Sequence, residues 1–242
     1  MTQLALRFTY RNGRAILAER RVLYPYAITA PINRAGAAEL TLQSISGGIY
    51  GGETLSQNVE VSEGARAKLI QPAATTVRRK TAGPARQTIM LEAGKNASLT
   101  YFTRPLIMLP GSALAQNWNI LLAPGAQILL FDGFLSHAEG ADWHFSSRLT
   151  ARATSGHLLA TERMEVHKAD LEHFTAYGKF WCFGQPLPSS LPAQPEIETG
   201  ITTLANNAGF TIALAAKTGG ALCAAMEKFE KILSQPGKFS RP

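Results

Sequence analysis

Cysteine is nearly absent from this chain. Cys182 and Cys223 are the two in 242 residues. They stand far apart and match no disulfide or metal-ligand spacing, so a disulfide framework is excluded and a reducing cytoplasm fits. Small buried apolar roles are expected for both. Long apolar runs are missing too: none approaches the ~18 residues a membrane helix needs. Met1-Thr2-Gln3 leads into an alternating strand rather than a signal peptide. The expectation is a soluble cytoplasmic protein with no membrane partner. Enzyme signatures are absent as well: there is no G-x-S-x-G elbow, Walker lysine loop, HExxH or CxxC. Ser, His and Asp all occur, but their order alone specifies no triad. Histidines number five, and their spacing forms no close ligand cluster. His167 and His173, flanking Asp170 and Glu172, read as a surface metal site in a loop or as a solvated polar connection. No tightly bound metal or other cofactor is expected, because imidazole or thiolate clusters normally hold such ions.

With 45% hydrophobic and 17% charged residues the chain can build a sizeable core. Its charge is uneven. Residues 1–110 carry 14 Lys+Arg against 6 Asp+Glu, and residues 111–242 carry 10 against 11. A basic half invites a nucleic-acid reading. The cations are scattered through strand-like segments, however, and only Arg78-Arg79-Lys80 forms a run. No helix-turn-helix, zinc-finger or RNP-type pattern accompanies them, so an acidic protein partner is favoured. A basic nucleic-acid-binding module remains an alternative.

An internal repeat organises the middle of the chain. Val61–Leu69, Leu91–Leu99 and Leu122–Leu130 each read as strand, short glycine turn, strand, with Gly64, Gly94 and Gly125 expected to supply positive φ. A recurrence at this period marks stacked supersecondary units that bury their cores between neighbours. The predicted fold is mainly β, with stacked β-hairpins in a layered superhelical arrangement and a short C-terminal helix. Further hairpins are predicted around Arg11-Asn12-Gly13 and Thr154-Ser155-Gly156. Gly184–Gly200, with Pro186, Pro188, Pro192 and Pro195, reads as loop. Ile201–Ala216 follows as a strand pair. Ala221–Leu233 then sets Leu222, Ala225, Met226, Phe229 and Leu233 on one helical face, as core or as partner contact.

The densest signal is Ser46–Gln87. Gly47-Gly48 and Gly51-Gly52 bracket Ile49-Tyr50 and end on Glu53; a strand, a Glu63-Gly64-Ala65 turn and a second strand lead to Pro72-Ala-Ala-Thr75-Thr-Val-Arg78 and to Gly83-Pro84-Ala-Arg86-Gln87. Paired glycines alone punctuate many loops, and a dinucleotide loop would need a following helix. Five ordered elements at these spacings are far more specific. The chain resembles the urease accessory protein UreD family, in which GG-hydrophobic-x-GGD, PGA, AAT-x-x-R and GPARQ occur in this order. The likeness runs from about Leu4 to Val166, and the part 167–242 diverges within what is expected to be one UreD-like domain spanning 1–242. Glu53 stands where the family usually has Asp, and Arg79-Lys80 adds charge near AAT-x-x-R.

Independently of that likeness, acids in apolar strands are costly to bury unless paired, hydrated or bound to a cation. Glu53, Asp132 and Glu162 fit this description. Two readings stand side by side: a wet internal passage lined by the three, or ion pairs with Arg78, Arg79 or Arg163. The resemblance implies a non-enzymatic scaffold that helps insert nickel into apo-urease, bound to UreF and reaching UreG through UreF, with Ni²⁺ a transient cargo. It also implies a polar internal passage, onto which Glu53, Thr81, Asp132 and Glu162 map. Part of the UreF contact is expected from the C-terminal part. The alternative from another class is a stacked-β hydrolase using Asp132 and Glu162 as an acid pair.

Overall fold

The computed structural model describes residues 1–79, 82–137, 142–188, 191 and 196–234. Local turn chemistry starts the fold. β1 (Leu4–Arg11) and β2 (Arg14–Val22) form the expected hairpin, with Asn12 and Gly13 both at positive φ in the two-residue turn. Short strands β3 (Tyr26–Ile28) and β4 (Ile32–Arg34) then pair with β5 (Ala37–Ser44).

The repeat follows. β6 (Thr54–Val61) turns into β7 (Arg66–Ile70) and, past β8 (Thr76–Val77), β9 (Ala85–Ala93) turns into β10 (Ser98–Phe102). Past β11 (Leu106–Met108), β12 (Ala113–Leu122) turns into β13 (Gln127–Ser136). β14 (His144–Ala153) and β15 (Leu158–His167) form the second predicted hairpin. β16 (Ala176–Phe183), β17 (Ile197–Thr203), β18 (Gly209–Ala216) and α1 (Gly219–Leu233) complete the chain. The strand pair predicted after the Pro-rich stretch therefore begins at Ile197 rather than Ile201. Pro192 and Pro195 lie outside the described residues.

The layered, stacked, mainly β architecture with one C-terminal helix is the one observed. Within the repeat, pairing runs between units. β6, β9, β12 and β14 bond in parallel in a 7-stranded sheet, and β5, β7, β10 and β13 bond in parallel in an 11-stranded sheet. Each turn carries the chain from one sheet to the other. The turns stack through backbone bonds such as Gly64 N–H to Lys95 O (2.9 Å) and Asn96 N–H to Pro124 O (3.1 Å). One glycine assignment is corrected by this geometry. Gly64 and Gly125 have positive φ, but in the middle turn Asn96 takes that conformation. Gly94 is required instead by close approach, since a Cβ there would lie 2.8 Å from the Glu63 backbone nitrogen.

Alternation along the strands fills the space between the sheets with Leu6, Phe8, Val59, Leu91 and Ile120 facing Leu40, Leu69, Leu99 and Leu130. α1 covers the other face of the larger sheet. Leu222, Ala225, Met226, Phe229 and Leu233 pack there on Phe131, Phe180, Phe210 and Ile212. The Thr218 hydroxyl caps the helix by accepting from Ala221 N–H at 3.1 Å. Lys68–Glu230 (2.6 Å) and Arg104–Glu227 (2.5 Å) tie the helix to the sheet. The apolar stripe read from the sequence is therefore spent in the core and is not free for a partner.

Candidate functional site

In a sheet buried between layers, inward positions are normally apolar. Here one level is polar. β6 reads Leu55, Gln57, Val59 inward; β9 reads Ala85, Gln87, Ile89; β12 reads Leu114, Gln116, Trp118; β14 reads Phe145, Ser147, Leu149. Gln87, Gln116 and Ser147 stand in register across three neighbouring strands. The opposite sheet contributes Tyr26, Tyr101 and Asp132. All of these are 9% exposed or less. They form a chain of hydrogen bonds: Tyr101 Oη donates to Gln57 Oε1 (2.6 Å), Gln57 Nε2 to Tyr26 Oη (3.0 Å), and Gln116 Nε2 to Gln87 Oε1 (3.1 Å). Ser147 Oγ donates to Asp132 Oδ2 at 3.0 Å.

The three glutamines, the two tyrosines and Asp132 line a narrow cavity of about 30 Å³, and Ser147 stands behind Asp132. A water needs on the order of 10–15 Å³ of such space, so one or two fit. Gln116 Oε1 and Trp118 Nε1 face it without a hydrogen-bond partner. Buried polar atoms of that kind are satisfied by water or by a passing polar ligand. Ser44, Gln71 and Thr75 line both this cavity and a surface groove walled by Ser46–Gly48 and Pro72–Thr76. The double-glycine loop and the Pro-Ala-Ala-Thr segment thus meet at the mouth of the cavity. Ile49 N–H donates to Thr76 O and Arg78 N–H to Ile49 O, each at 2.8 Å. Arg78 Nε donates to Gly47 O at 2.8 Å, with its guanidinium over the Tyr50 ring. Gly48, at φ +140°, has no room for a side chain: a Cβ would lie 2.3 Å from Thr76 Oγ1.

The four sequence-predicted passage residues separate here. Asp132 lies on the cavity wall. Glu162 on β15 reaches Lys179 on β16, Nζ to Oε2 2.5 Å, and Lys179 stands opposite Asp132 in the sheet register. Asp132, Lys179 and Glu162 therefore form one electrostatic group, with two acids around one cation. The partner expected from the sequence, Arg163, pairs with Glu165 instead. Glu53 is half-buried and closes its own turn, its Oε2 accepting from Tyr50 N–H at 2.9 Å while its N–H bonds Tyr50 O; it is not among the cavity-lining residues. Thr81 lies outside the described residues. In the GPARQ motif, Gln87 is the residue that reaches the cavity, and Arg86 holds the Glu53 carbonyl through its backbone N–H. Gly51 and Gly52 shape the Tyr50–Glu53 turn, Gly52 packs on Ala82, and Gly83 has positive φ just ahead of Pro84.

Sequence reasoning missed Gln57, Gln116, Ser147, the two tyrosines and Lys179. The available signal was a single polar residue among the apolar inward positions of successive strands, at the same level for Gln87, Gln116 and Ser147 and one inward step away for Gln57.

Burial pushes the Asp132 carboxyl up to about 6 from its ordinary 3.8; the Ser147 hydroxyl and the nearby Trp118 indole oppose this, Glu162 adds to it and Lys179 opposes it. The indole favours the anion by proximity and makes no well-formed hydrogen bond to it. Because the folded-state value is raised, the folded chain keeps a proton that the unfolded chain loses between pH 3.8 and about 6. That contribution to stability is full below the lower value and is lost as pH rises through the upper one. The ionised group then costs on the order of 3 kcal/mol relative to acid. Asp132→Asn is accordingly expected to raise the melting temperature by several degrees at pH 8 and by much less at pH 4. A shift that stays constant across this range in variant-minus-parent melting curves would contradict the assignment.

Among the described residues no helix is long and apolar enough to cross a membrane. Both cysteines are free; Cys182 is buried, which pushes its thiol up, and Cys223 is partly exposed. The one group of three metal-capable side chains among the described residues is His144, Glu165 and His167. His173, the partner expected for His167, lies beside Glu172 in an exposed pair.

Comparison with known proteins agrees with the motif likeness and extends it. The family model described as UreD urease accessory protein matches residues 1–239, so the part after Val166 falls within it. Urease accessory protein UreD 1 of Methylorubrum populi is 31% identical over 96% of this chain and 86% of its own length. UreD 1 of Pseudomonas syringae pv. syringae is 29% identical over 83% of this chain and 79% of its own. UreD of Cupriavidus necator is 27% identical over 84% and 78%. The chain belongs to the UreD family of urease accessory proteins.

Proposed function

We propose that this chain is a non-enzymatic cytoplasmic scaffold for nickel insertion into apo-urease, acting as one unit over 1–242. It contacts urease and UreF, with UreG reached through UreF, and the polar layer between its sheets is a passage for Ni²⁺. The observation that carries this reading is the buried row of oxygen-bearing side chains that meets Asp132 beside a water-sized cavity.

The donor chemistry suits transit. Amide, phenol and hydroxyl oxygens with one carboxylate are hard ligands that hold a hydrated divalent ion weakly, whereas thiolates or several imidazoles would trap it. At neutral pH the Asp132–Lys179–Glu162 group carries one net negative charge, which offsets part of the cost of bringing a cation into a low-dielectric interior. With its carboxylate bonded to Lys179, Glu162 tunes that charge rather than acting as a free acid of a hydrolytic pair.

Reconstitution tests the reading. Purified apo-urease, UreF, UreG, nucleotide and nickel are expected to give active urease with this chain present and little without it. On size exclusion the chain is expected to co-elute with UreF; two separate peaks at micromolar concentration would count against the scaffold role.

A further inference from the structure

The outer face of β14 and β15 carries a second arrangement. Cross-strand register sets His144 opposite His167 and Ser146 opposite Glu165. The two imidazoles lie parallel, 4.4 Å between ring centroids and 8° between planes. Glu165 divides its oxygens: Oε2 accepts from Arg163 at 3.0 Å, and Oε1 stands 3.3 Å from His144 Nε2. That nitrogen is buried and makes no hydrogen bond, even to the nearby carboxylate. One ligand atom from each of the three side chains lies within 4.8 Å of the others.

We infer that His144, Glu165 and His167 form a binding site for a divalent transition-metal ion of the nickel, zinc and copper class. An ion at about 2.1 Å from each ligand holds its donors roughly 3 to 4 Å apart, so small side-chain rotations bring the three atoms onto one ion. An orphan imidazole nitrogen beside a carboxylate oxygen, unbonded to each other, is an arrangement that a shared cation resolves. The donor set selects the class: two neutral imidazoles and one carboxylate suit borderline metals and leave positions for water, whereas Ca²⁺ and Mg²⁺ take oxygen ligands. Three ligands at a partly exposed strand edge give modest, exchangeable binding. The site does not rest on the internal passage, because these side chains point away from the inward-facing Ser147 and Glu162.

The test uses the untagged full chain with Zn²⁺ alone and Ni²⁺ alone, by calorimetry or chelator competition. Uptake of one ion per chain at micromolar affinity is expected. His144→Ala and His167→Ala are each expected to weaken it roughly tenfold or more, since even outer partners of metal ligands cost about 10- to 100-fold. The double variant is expected to lose it, and His173→Ala to keep parental affinity. Circular dichroism of the metal-free variants confirms that they fold. The inference is overturned if the parent takes up neither metal, or if the folded double variant binds as the parent does. Both readouts are independent of urease activation.

Discussion

Asp132→Leu is expected to abolish most urease activation while leaving the complex with UreF and urease assembled. Asp132 sits where β13 faces the polar layer, with its carboxylate held by Ser147 and the cavity beside it. Leucine removes the negative charge and fills water-sized space with methyl groups, so an entering cation loses both its counter-charge and its hydration. Even after relaxation, an uncompensated charge in a protein interior costs several kcal/mol. At 1.36 kcal/mol per factor of ten, a penalty on the order of 3 kcal/mol slows transit about a hundredfold. Asp132→Ala is expected to do less harm, because it leaves room for water. Stability moves the other way, since the parent's ionised Asp132 is itself a cost above pH 6. A variant more stable than its parent yet deficient in activation separates transit from folding. If Asp132 only anchored structure, activation would instead fall in proportion to the folded complex.

Phe229→Ala in α1 is expected to cost about 3–5 kcal/mol, the usual range for emptying a fully buried aromatic site. Phe229 is 0% exposed and meets Phe180 edge-on, 6.2 Å between centroids. Phe180 in turn contacts Phe131, next in sequence to Asp132 on β13. The helix and the floor of the polar layer are therefore joined through one aromatic stack. Urea denaturation is the direct measure. A loss below 1 kcal/mol would show that α1 is not part of the folded core. By contrast, exposed Lys231→Ala on the same helix is expected to fall within about 0.5 kcal/mol of the parent.

Local signals explain what the sequence disclosed. Asn12-Gly13 fixes a hairpin because both residues tolerate positive φ, and the recurrent turns announced stacking. Whether the strands flanking a turn bond each other or their counterparts in the next unit is a longer-range choice, and alternation with period two is the same in both cases. That is why hairpins and interlayer turns look alike in the repeat. The helical stripe from Leu222 to Leu233 was legible as apolar, but only packing against Phe180 and Ile212 decided between core and partner contact. Asp132 and Glu162 stood out as acids in apolar strands. Lys179 did not, since a lysine among aromatic residues signals nothing until register sets it opposite Asp132. Glu53 closed a conspicuous motif, yet its carboxylate serves its own turn. The His144–His167 pair depended on a bulge: register shifts by one residue between Ala151 and Arg152. Without that shift Val166 would stand opposite His144, and the outward and inward faces of β15 would exchange.

The central claim is that nickel reaches urease through the polar layer, and nickel content settles it directly. Apo-urease would be activated by the parent chain and by the Asp132→Ala/Glu162→Ala variant, with UreF and UreG. Assembled complexes would be isolated by size exclusion and their nickel measured per urease active site. The passage account predicts parental assembly with nickel loading and activity reduced together, several-fold or more. Parental nickel loading by the Asp132→Ala/Glu162→Ala variant would contradict the passage and leave the scaffold role to stand alone.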